Sequence, residues 1–572
     1  MDPFQPFKAE VDRMLASALN ELGLSAELQM ERPDLEIADF AFPCHPLAKT
    51  LRKAPPIIAQ EIAARLPTSD LIERAWADRG YLNFKVNSSL LVKYTLEEIV
   101  RAGVDYGQGE PRGIKVLLEH TSVNPTGPIH VGRARNPLIG DTLARCLRKC
   151  GYEVGTEYLV NDVGKQVVLL TWGLENIPAA EVRSASDRAK QDHVMVGYYQ
   201  RANQMMEKDP GIEREVGQML RRFEDGEAEV MAMVRVTCDR MLSGIKESLR
   251  AVGVELDTYT YESQFIKNGE ATQVVERLKS TPYCHEQDGA YYLDLEGFGI
   301  HGRDTKFFFT RADGTTLYTT RDIAYHLDKF KRADQLVNVL GEDQKLGQAQ
   351  LAAALKIMGE TRAPELVFYA FVSLPEGRMS TRKGVVVYLD DLIDEAEDRA
   401  YEEVKKRRTD LGEEQMRQIA RDIGRGALRF NIVRVQAEKQ LLFKWEEALN
   451  FEGNSAPFVQ YSHARCCSIL RKAGEFERMV DPALLTESYE QKLIRVLSQY
   501  PAVVRECGEK RRIHLLPAYG HEVASAFNQF YAYVPVLRSG KPQNARLTLV
   551  EATMWVLRGV LDSLGLAAPE EM

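Results

Sequence analysis

The chain has 572 residues, 27% of them charged and 44% hydrophobic, with a net charge of −9. That length predicts three or four domains of about 150 residues each, and the acidic balance excludes a generally basic nucleic-acid binder while leaving local RNA-binding patches open. The eight cysteines include no Cys-x-x-Cys pair, which excludes a zinc ribbon or dithiol redox motif and fits buried, reduced thiols.

The segment Met1–Lys8 has no basic or apolar leader character, and no run reaches the roughly 18 apolar residues of a membrane span, so a soluble, cytoplasmic protein is expected. Residues 7 to about 109 alternate helical and strand-like patterns. The spacing predicts a helix near Val11–Leu22, an extended Ala38–Phe42, a helix near Pro56–Arg65, and short strands around Ile72–Trp76 and Leu82–Val86. Asp105–Gly113, rich in glycine and proline, reads as a linker.

Strands near Lys115–Thr121 and Glu153–Val160 then open an α/β region. Between them stands Asn124-Pro125-Thr126-Gly127-Pro128-Ile129-His130-Val131-Gly132-Arg133, followed by Leu138, Ile139, Leu143 and Leu147 at helical spacing. A strand feeding a Pro/Gly loop and a helix start gathers free N–H groups and the positive dipole end at one spot, which suits a nucleotide phosphate. His130 could donate to a phosphate oxygen there, and Gly132 lets a flat ring or a phosphate approach the backbone. Pro137 suits the first turn of a helix capped by Asn136.

From about Asp187 to Ala251 the pattern is long and helical, broken by Asp209-Pro210-Gly211 and stopped near Gly253. The nucleotide-binding sheet is expected to resume with Gly289–Asp294 and Gln335–Leu340. Tyr318 and Asp322, at i and i+4, share one helix face. Arg378-Met379-Ser380-Thr381-Arg382-Lys383-Gly384 forms a cationic loop between two strand-like runs. Beyond Asp390 the chain reads as helical to Met572, and Phe458–Leu470 and Leu547–Leu564 have the apolar spacing of a helix bundle. Lys405–Arg408 and Lys510–Arg512 suit a nucleic-acid partner or a solvated helix face equally.

Two of these motifs together resemble the class I aminoacyl-tRNA synthetases: His130-Val131-Gly132-Arg133 their first signature and Arg378-Met379-Ser380-Thr381-Arg382 their second. Glu119-His120-Thr121-Ser122-Val123-Asn124-Pro125 and Tyr318-Thr319-Thr320-Arg321-Asp322 resemble the arginyl-tRNA synthetase branch. The likeness runs along nearly the whole chain. Ala38–Pro43 and Gly80–Phe84 resemble that family's N-terminal extra domain, and Phe458–Arg465 and Ala526–Tyr531 its anticodon-binding domain.

The resemblance implies a multidomain α/β protein. Residues 1–110 would form a small α/β domain that binds the tRNA elbow. Residues 111–395 would form a Rossmann-like class I catalytic domain with a helical insertion at about 174–255. A helical connecting region, 396–450, would lead to an all-α anticodon-binding bundle, 451–572. The implied reaction is ATP-dependent attachment of L-arginine to tRNA(Arg) through an arginyl-adenylate, releasing AMP and pyrophosphate. ATP is a substrate, Mg2+ is expected on its phosphates, and no protein-held metal is expected.

By the same resemblance, His130, Gly132, Arg133, Arg378, Ser380, Arg382 and Lys383 carry catalysis, and Met379 joins His130, Gly132 and Ser380 in contacting ATP. Glu119, Ser122 and Asn124 would hold the α-amino and carboxylate groups of arginine, Tyr318 and Asp322 would contact the side chain with Asp322 on its guanidinium, and Gln344 would lie nearby. A glutamate that ends an apolar strand needs a cation if buried, which points to the substrate ammonium as partner of Glu119. Tyr81 and Asn83 resemble a pair that reads a base of the tRNA elbow, and Tyr461, Arg465, Asn528 and Tyr531 have chemistry suited to the anticodon.

The chain departs from the family pattern twice. Arg133 stands where the first signature usually ends in His, and Arg378 and Thr381 replace lysines of the second, with Arg382 and Lys383 available to supply the charge. Two other readings stay open: a different nucleotidylyl transferase of the superfamily, and a catalytically inactive tRNA-binding paralogue. No interface pattern stands out in the sequence, and a monomer is favoured.

Overall fold

The computed structural model describes residues 2–24, 30, 31, 38–182, 188–373 and 387–572. At the N-terminus, the helix Gln5–Glu21 buries Phe7, Val11, Met14, Leu15, Ala18 and Leu19 in a core shared with a three-stranded antiparallel sheet. Its strands β1 (Phe40–Pro43), β2 (Ile72–Asp78) and β3 (Tyr81–Val86) lie in the order β1-β3-β2. The core takes Leu82, Phe84 and Val86, so the alternation of the strand puts Tyr81, Asn83 and Lys85 on the other face.

A helix not anticipated from the sequence, Ser88–Ala102, follows, N-capped by Asn87, whose side chain accepts from the Leu90 amide. It packs against the helices Ser488–Leu497 and Gln543–Leu564, joining the two ends of the chain. Asp39 adds an ion pair to Arg495 at the same junction.

The central α/β region begins with β4 (Lys115–Glu119), β5 (Glu153–Val160) and β6 (Thr258–Tyr261). The helices Lys165–Asn176, Gln191–Met206, Pro210–Glu224 and Ala228–Ala251 stand between β5 and β6. Asp209 caps the third of these through the Gly211 amide, so its Asp-Pro-Gly break is a helix start. After β6 come β7 (Cys284–Gln287), β8 (Ala290–Asp294) and β9 (Lys306–Phe308), then β10 (Gln335–Gly341) and β11 (Glu365–Tyr369).

The parallel sheet runs β11-β10-β4-β5-β6. The strand order reverses at β4, and ligands of open α/β sheets bind at the carboxyl ends of strands beside such a reversal. The expectation that Gly289–Asp294 resumes this sheet is corrected: β8 pairs antiparallel with β7 and β9 in a separate three-stranded sheet. Asp288 and Gly289 both have positive φ, 52° and 83°, the mark of a two-residue turn that joins antiparallel strands, whereas a parallel strand needs a long crossover. The parallel sheet resumes instead at β6, whose four residues gave too short a pattern.

From Leu389 onward helices dominate, with Leu389–Arg407, Glu413–Val433, Ala456–Ala473, Leu515–Tyr533 and Gln543–Leu564 the longest. Buried Arg429 pairs with buried Asp141 of the helix Arg135–Lys149 and donates to the Val252 carbonyl at 2.8 Å, locking this region to the sheet. In the two basic patches, Lys406 and Arg407 pair with Glu403, Arg408 with Asp410, Lys510 with Glu506 and Arg511 with Glu365. The eight cysteines are unbridged. Among the described residues, no helix is long and apolar enough to cross a membrane.

One glycine is fixed by contact. A Cβ on Gly140 would lie 2.2 Å from Cγ of His120, which is buried just after β4. Gly140→Ala is therefore expected to destabilise the fold by about 3 kcal/mol through overpacking, read as a lower urea midpoint at unchanged slope.

Candidate active site

At the carboxyl end of β4 the chain turns through two non-glycine residues in the left-handed region, Thr121 (φ 73°) and Ser122 (φ 36°). Such residues cost about 1–3 kcal/mol each and persist only where neighbours over-determine them. Here the Thr121 amide donates to Asn136 Oδ1 at 2.8 Å, the Leu159 amide donates to Ser122 Oγ at 3.0 Å, and Ser122 Oγ donates to Glu119 Oε1 at 3.1 Å. The turn aims Ser122 and Asn124 into the cleft above the sheet.

The first-signature residues form a short 3-10 turn, Val131–Arg133, and the helix Arg135–Lys149 follows. Pro137 lies in the first turn of that helix as expected, but Asn136 is not its cap. A cap sits outside the helix, whereas Asn136 lies within it and uses its amide to join the Thr121 amide to the Val339 carbonyl (3.0 Å), tying the ends of β4 and β10 together.

His130 Nδ1 accepts from the Gly132 amide at 3.1 Å. An amide can only donate, so the ring proton of neutral His130 sits on Nε2. Burial, aided by the Arg133 charge, pushes the His130 pKa below its ordinary value, keeping the ring neutral at pH 7. Arg133 lies at the mouth of the cleft, 3.7 Å from Asp343 Oδ2 and 5.8 Å from the Phe371 ring.

Arg378, Met379, Ser380, Arg382 and Lys383 lie outside the described residues. The residues beside that stretch are held at the cleft. The Val131 amide donates to the Val387 carbonyl at 3.0 Å and the Leu389 amide to the Ile129 carbonyl at 2.8 Å. On the other side, β12 (Val372–Ser373) pairs with β13 (Leu441–Leu442). Buried Arg135 donates to the carbonyls of Ala370, Val435, Gln436, Ala437 and Lys439. Sequence reasoning missed Arg135, although an arginine in the positive first turn of a helix is misplaced unless it has such acceptors.

One cleft of about 620 Å3 brings together Glu119, Ser122, Asn124, His130, Arg133, Tyr318, Asp322 and Gln344. Gly132 is buried within the turn behind it. Tyr318 opens the helix Tyr318–Arg332 and is 67% exposed at the rim. Asp322 stands one turn deeper, its Oδ1 3.0 Å from His326 Nδ1. Gln344 is exposed and lies 3.4 Å from Asp343 Oδ2.

Glu119 already has a cation at one of its oxygens. Its Oε2 accepts from Lys329 Nζ at 2.7 Å, so the cation that makes its burial tolerable comes from the chain itself. The signal was present in the sequence. Tyr318, Asp322, Tyr325 and Lys329 recur at i, i+4, i+7 and i+11, a polar stripe at helical period that extends the Tyr318/Asp322 face inward.

Glu262 is a second cleft carboxylate that sequence reasoning missed. It accepts from Arg321 Nε at 2.6 Å, and Asn161 donates to its other oxygen at 2.8 Å with the amide nitrogen turned toward it. Burial nevertheless raises its pKa to about 7, against the pull of Arg321. The Tyr325 hydroxyl is buried in the cleft wall without a hydrogen-bond partner among the described residues.

A buried cluster of Asp192, His193 and Asp390 has the donor types of a cation site. The Lys190 ammonium already lies 3.1 Å from Asp192 and 2.7 Å from Asp390, so the cluster is an internal ion network. It ties the inserted helices to the start of Leu389–Arg407.

Away from the cleft, the four expected anticodon residues converge. Arg465 donates to Asn528 Oδ1 at 2.7 Å and to the Tyr461 hydroxyl at 3.2 Å, and its guanidinium lies 4.7 Å and 5.7 Å from the Tyr461 and Tyr531 rings. Both rings are exposed. On the N-terminal sheet Tyr81 is half-buried against His45, and Asn83, on the same face, is only 5% exposed.

Three family descriptions match successive parts of the chain: the arginyl tRNA synthetase N terminal domain at residues 8–86, the tRNA synthetases class I (R) catalytic domain at 95–445, and the DALR anticodon binding domain at 459–572. The chain is 45% identical over 568 residues to the arginine–tRNA ligase of Methanocella arvoryzae, spanning 98% of this chain and 99% of that protein. It is 41% identical to that of Methanocaldococcus jannaschii, over 94% and 95% of the two chains. The solved Thermus thermophilus arginyl-tRNA synthetase superposes with a TM-score of 0.83 at 29% identity, covering 98% of this chain and 99% of that one. With its catalytic region matched from end to end and its full length shared with such relatives, this chain belongs to the arginine branch of the class I aminoacyl-tRNA synthetases.

Proposed function

We infer that the protein attaches L-arginine to tRNA(Arg) at the expense of ATP, through an arginyl-adenylate, releasing AMP and pyrophosphate. The observation that carries this reading is the cleft itself, in which Asp322 and Glu262 share one space with the His130 helix start. A planar guanidinium between two carboxylates can make charge-assisted hydrogen bonds in fork geometry, which an ammonium cannot reproduce.

In this reading Asp322 binds the guanidinium, with Glu262 as a second acceptor and Tyr318 covering the side chain. Ser122, Asn124, Glu119 and Gln344 orient the backbone end of the amino acid. The carboxylate of arginine is ionised at pH 7, so its attack on the α-phosphate needs no strong general base. In-line positioning and donors facing the phosphates carry the rate.

His130 supplies an Nε2–H donor on a neutral ring, and Arg133 a fixed positive charge in place of the usual imidazole. By resemblance, the cations of Arg378, Arg382 and Lys383, with Ser380 and Met379, complete the ATP contacts, and Mg2+ enters bound to ATP as part of the substrate. The mixed anhydride then passes arginine to the terminal ribose hydroxyl of the tRNA. Tyr81 and Asn83 are assigned to the tRNA elbow, and Tyr461, Arg465, Asn528 and Tyr531 to the anticodon, where exposed rings can stack on unpaired bases.

The reading is tested by supplying ATP, Mg2+ and total tRNA with each amino acid in turn: AMP and pyrophosphate should accumulate with arginine alone and stop when tRNA is omitted. Sustained turnover without tRNA would favour another nucleotidylyl transferase. A further consequence follows from Glu262. Because Glu262 has a pKa of about 7, an arriving guanidinium should complete its ionisation, since a nearby cation favours the charged carboxylate. Arginine binding at pH 7 is therefore expected to release a fraction of a proton, read by calorimetry in buffers of different ionisation enthalpy. Release should vanish in Glu262→Gln.

A further inference from the structure

Along the cleft wall, the side chains of Ser122, Glu119, Lys329, Asn338 and His326 form one hydrogen-bonded line that runs from the backbone end of the proposed arginine site to Asp322 at its guanidinium end. Ser122 Oγ donates to Glu119 Oε1 (3.1 Å), and Lys329 Nζ donates both to Glu119 Oε2 (2.7 Å) and to Asn338 Oδ1 (3.0 Å). Asn338 Nδ2 lies 2.9 Å from His326 Nε2, and His326 Nδ1 lies 2.9 Å from the Asp322 carbonyl and 3.0 Å from Asp322 Oδ1. Lys329, Asn338 and His326 are each almost wholly buried.

The donor and acceptor roles along this line admit one assignment. An ammonium has only donors, so it must face the oxygen of Asn338, and the amide nitrogen must then face His326. That nitrogen has only donors, so His326 Nε2 is the acceptor and the ring proton is on Nδ1. The backbone carbonyl of Asp322 demands the same tautomer independently, because a carbonyl can only accept. The Nδ1–H is thereby held beside the Asp322 carboxylate.

We propose that His326 is the positioning residue of the arginine pocket, locked into its Nδ1–H tautomer by Lys329 through Asn338 so that it fixes the Asp322 carboxylate for the guanidinium. The inference rests on the assignment of Asp322 to that group. One buried ammonium then sets both ends of the site, since the same Lys329 also holds Glu119. His326 lines the cleft beside Asp322 and is 1% exposed, and in the proposal it acts through Asp322.

The test uses two replacements that place an amide at different ring positions. In His326→Asn the amide falls near Nδ1 and can still donate toward Asp322. In His326→Gln it reaches the Nε2 position, keeps the partner of Asn338 and fills more of the space. The proposal expects His326→Gln to raise the KM for arginine about 10- to 100-fold, the range for a lost hydrogen bond to a charged group, with the KM for ATP unchanged. His326→Asn should recover most of that loss.

A merely space-filling role predicts the reverse order, and that order, an equal loss in both variants, or a matching rise in the KM for ATP would overturn the proposal. A reading independent of any variant's folding comes from 15N NMR of the unmutated, histidine-labelled protein. The Nδ1–H tautomer at the resonance assigned to His326 supports the proposal and the Nε2–H tautomer there overturns it; buried His463, whose Nδ1 donates to the Pro569 carbonyl, gives a second Nδ1–H signal that is assigned separately. Asp322→Ala separates the two levels. Unchanged arginine KM in Asp322→Ala overturns the underlying assignment and the proposal together, whereas loss there with none in His326→Gln overturns the proposal alone.

Discussion

Replacing Asp322 with alanine is expected to lower kcat/KM for arginine about a thousandfold while leaving ATP affinity unchanged. The magnitude follows from removing one partner of a charge-assisted pair inside a cleft, where the stranded charge is the larger part of the cost, about 2–5 kcal/mol. The locality follows from the fold. Asp322 lies one turn into the helix Tyr318–Arg332, whereas the His130 turn is a separate element that follows β4. The Asp322 side chain is 30% exposed at the cleft, so its removal leaves a wet gap and not a core cavity, and the fold should keep its stability. Steady-state kinetics with each substrate varied in turn check the prediction. An equal loss of ATP affinity would mean that Asp322 does not belong to the amino-acid end of the cleft.

The second large effect is expected at His130. His130→Ala should reduce kcat about 100- to 1000-fold, the usual cost of losing one preorganised donor to developing charge, with little change in the KM for arginine. The geometry also fixes a pH dependence. The pKa of His130 lies below the ordinary histidine value, so the neutral Nε2–H form persists as pH falls through about 6.5. Protonation below that range would set an Nδ1–H against the Gly132 N–H and break the bond that holds the ring. At saturating arginine, which holds Glu262 ionised, kcat should therefore stay level from pH 8 to about 6.5, with its acid limb lower. An acid limb centred at or above the ordinary value would contradict the assigned environment.

The parts of this fold that were legible in the sequence are those whose signal is local. The alternation of Leu82, Phe84 and Val86, the apolar run of β4 and the helical spacing after His130 each state their own geometry. The His130 turn could be placed because a proline- and glycine-rich loop between strand and helix has few other uses. What stayed hidden depends on contacts between distant residues. Asn136 looked like a helix cap because its type favours caps, but the Thr121 amide, fifteen residues earlier, and the β10 carbonyl claim its side chain. Glu119 was read correctly as needing a cation, yet Lys329, which supplies it, stands 210 residues away. Glu262 gave no motif at all, and its importance comes from the cleft it lines and the burial that raises its pKa. Gly289–Asp294 misled because strand propensity carries no information on pairing direction. The two positive-φ residues of its turn were the relevant sign, and an Asp-Gly pair before a strand is a hairpin signal that deserved more weight.

The surface cluster around Arg465 shows a different limit. Tyr461 and Arg465 are four residues apart and could be paired from spacing alone, but Asn528 and Tyr531 join them only through the packing of the helix Leu515–Tyr533 against Ala456–Ala473. Aromatic residues at helical spacing ordinarily point to a core. Here their exposure and the guanidinium set between two rings distinguish a surface platform from packing.

The most direct test of the account is charging of total tRNA by the purified protein with each of the twenty amino acids, ATP and Mg2+ present. Attachment of arginine alone is the predicted result, and it would make Arg133 a working substitute for the usual histidine. No attachment of any amino acid, with tRNA still bound, would contradict the account and identify the chain as an inactive tRNA-binding member of its family.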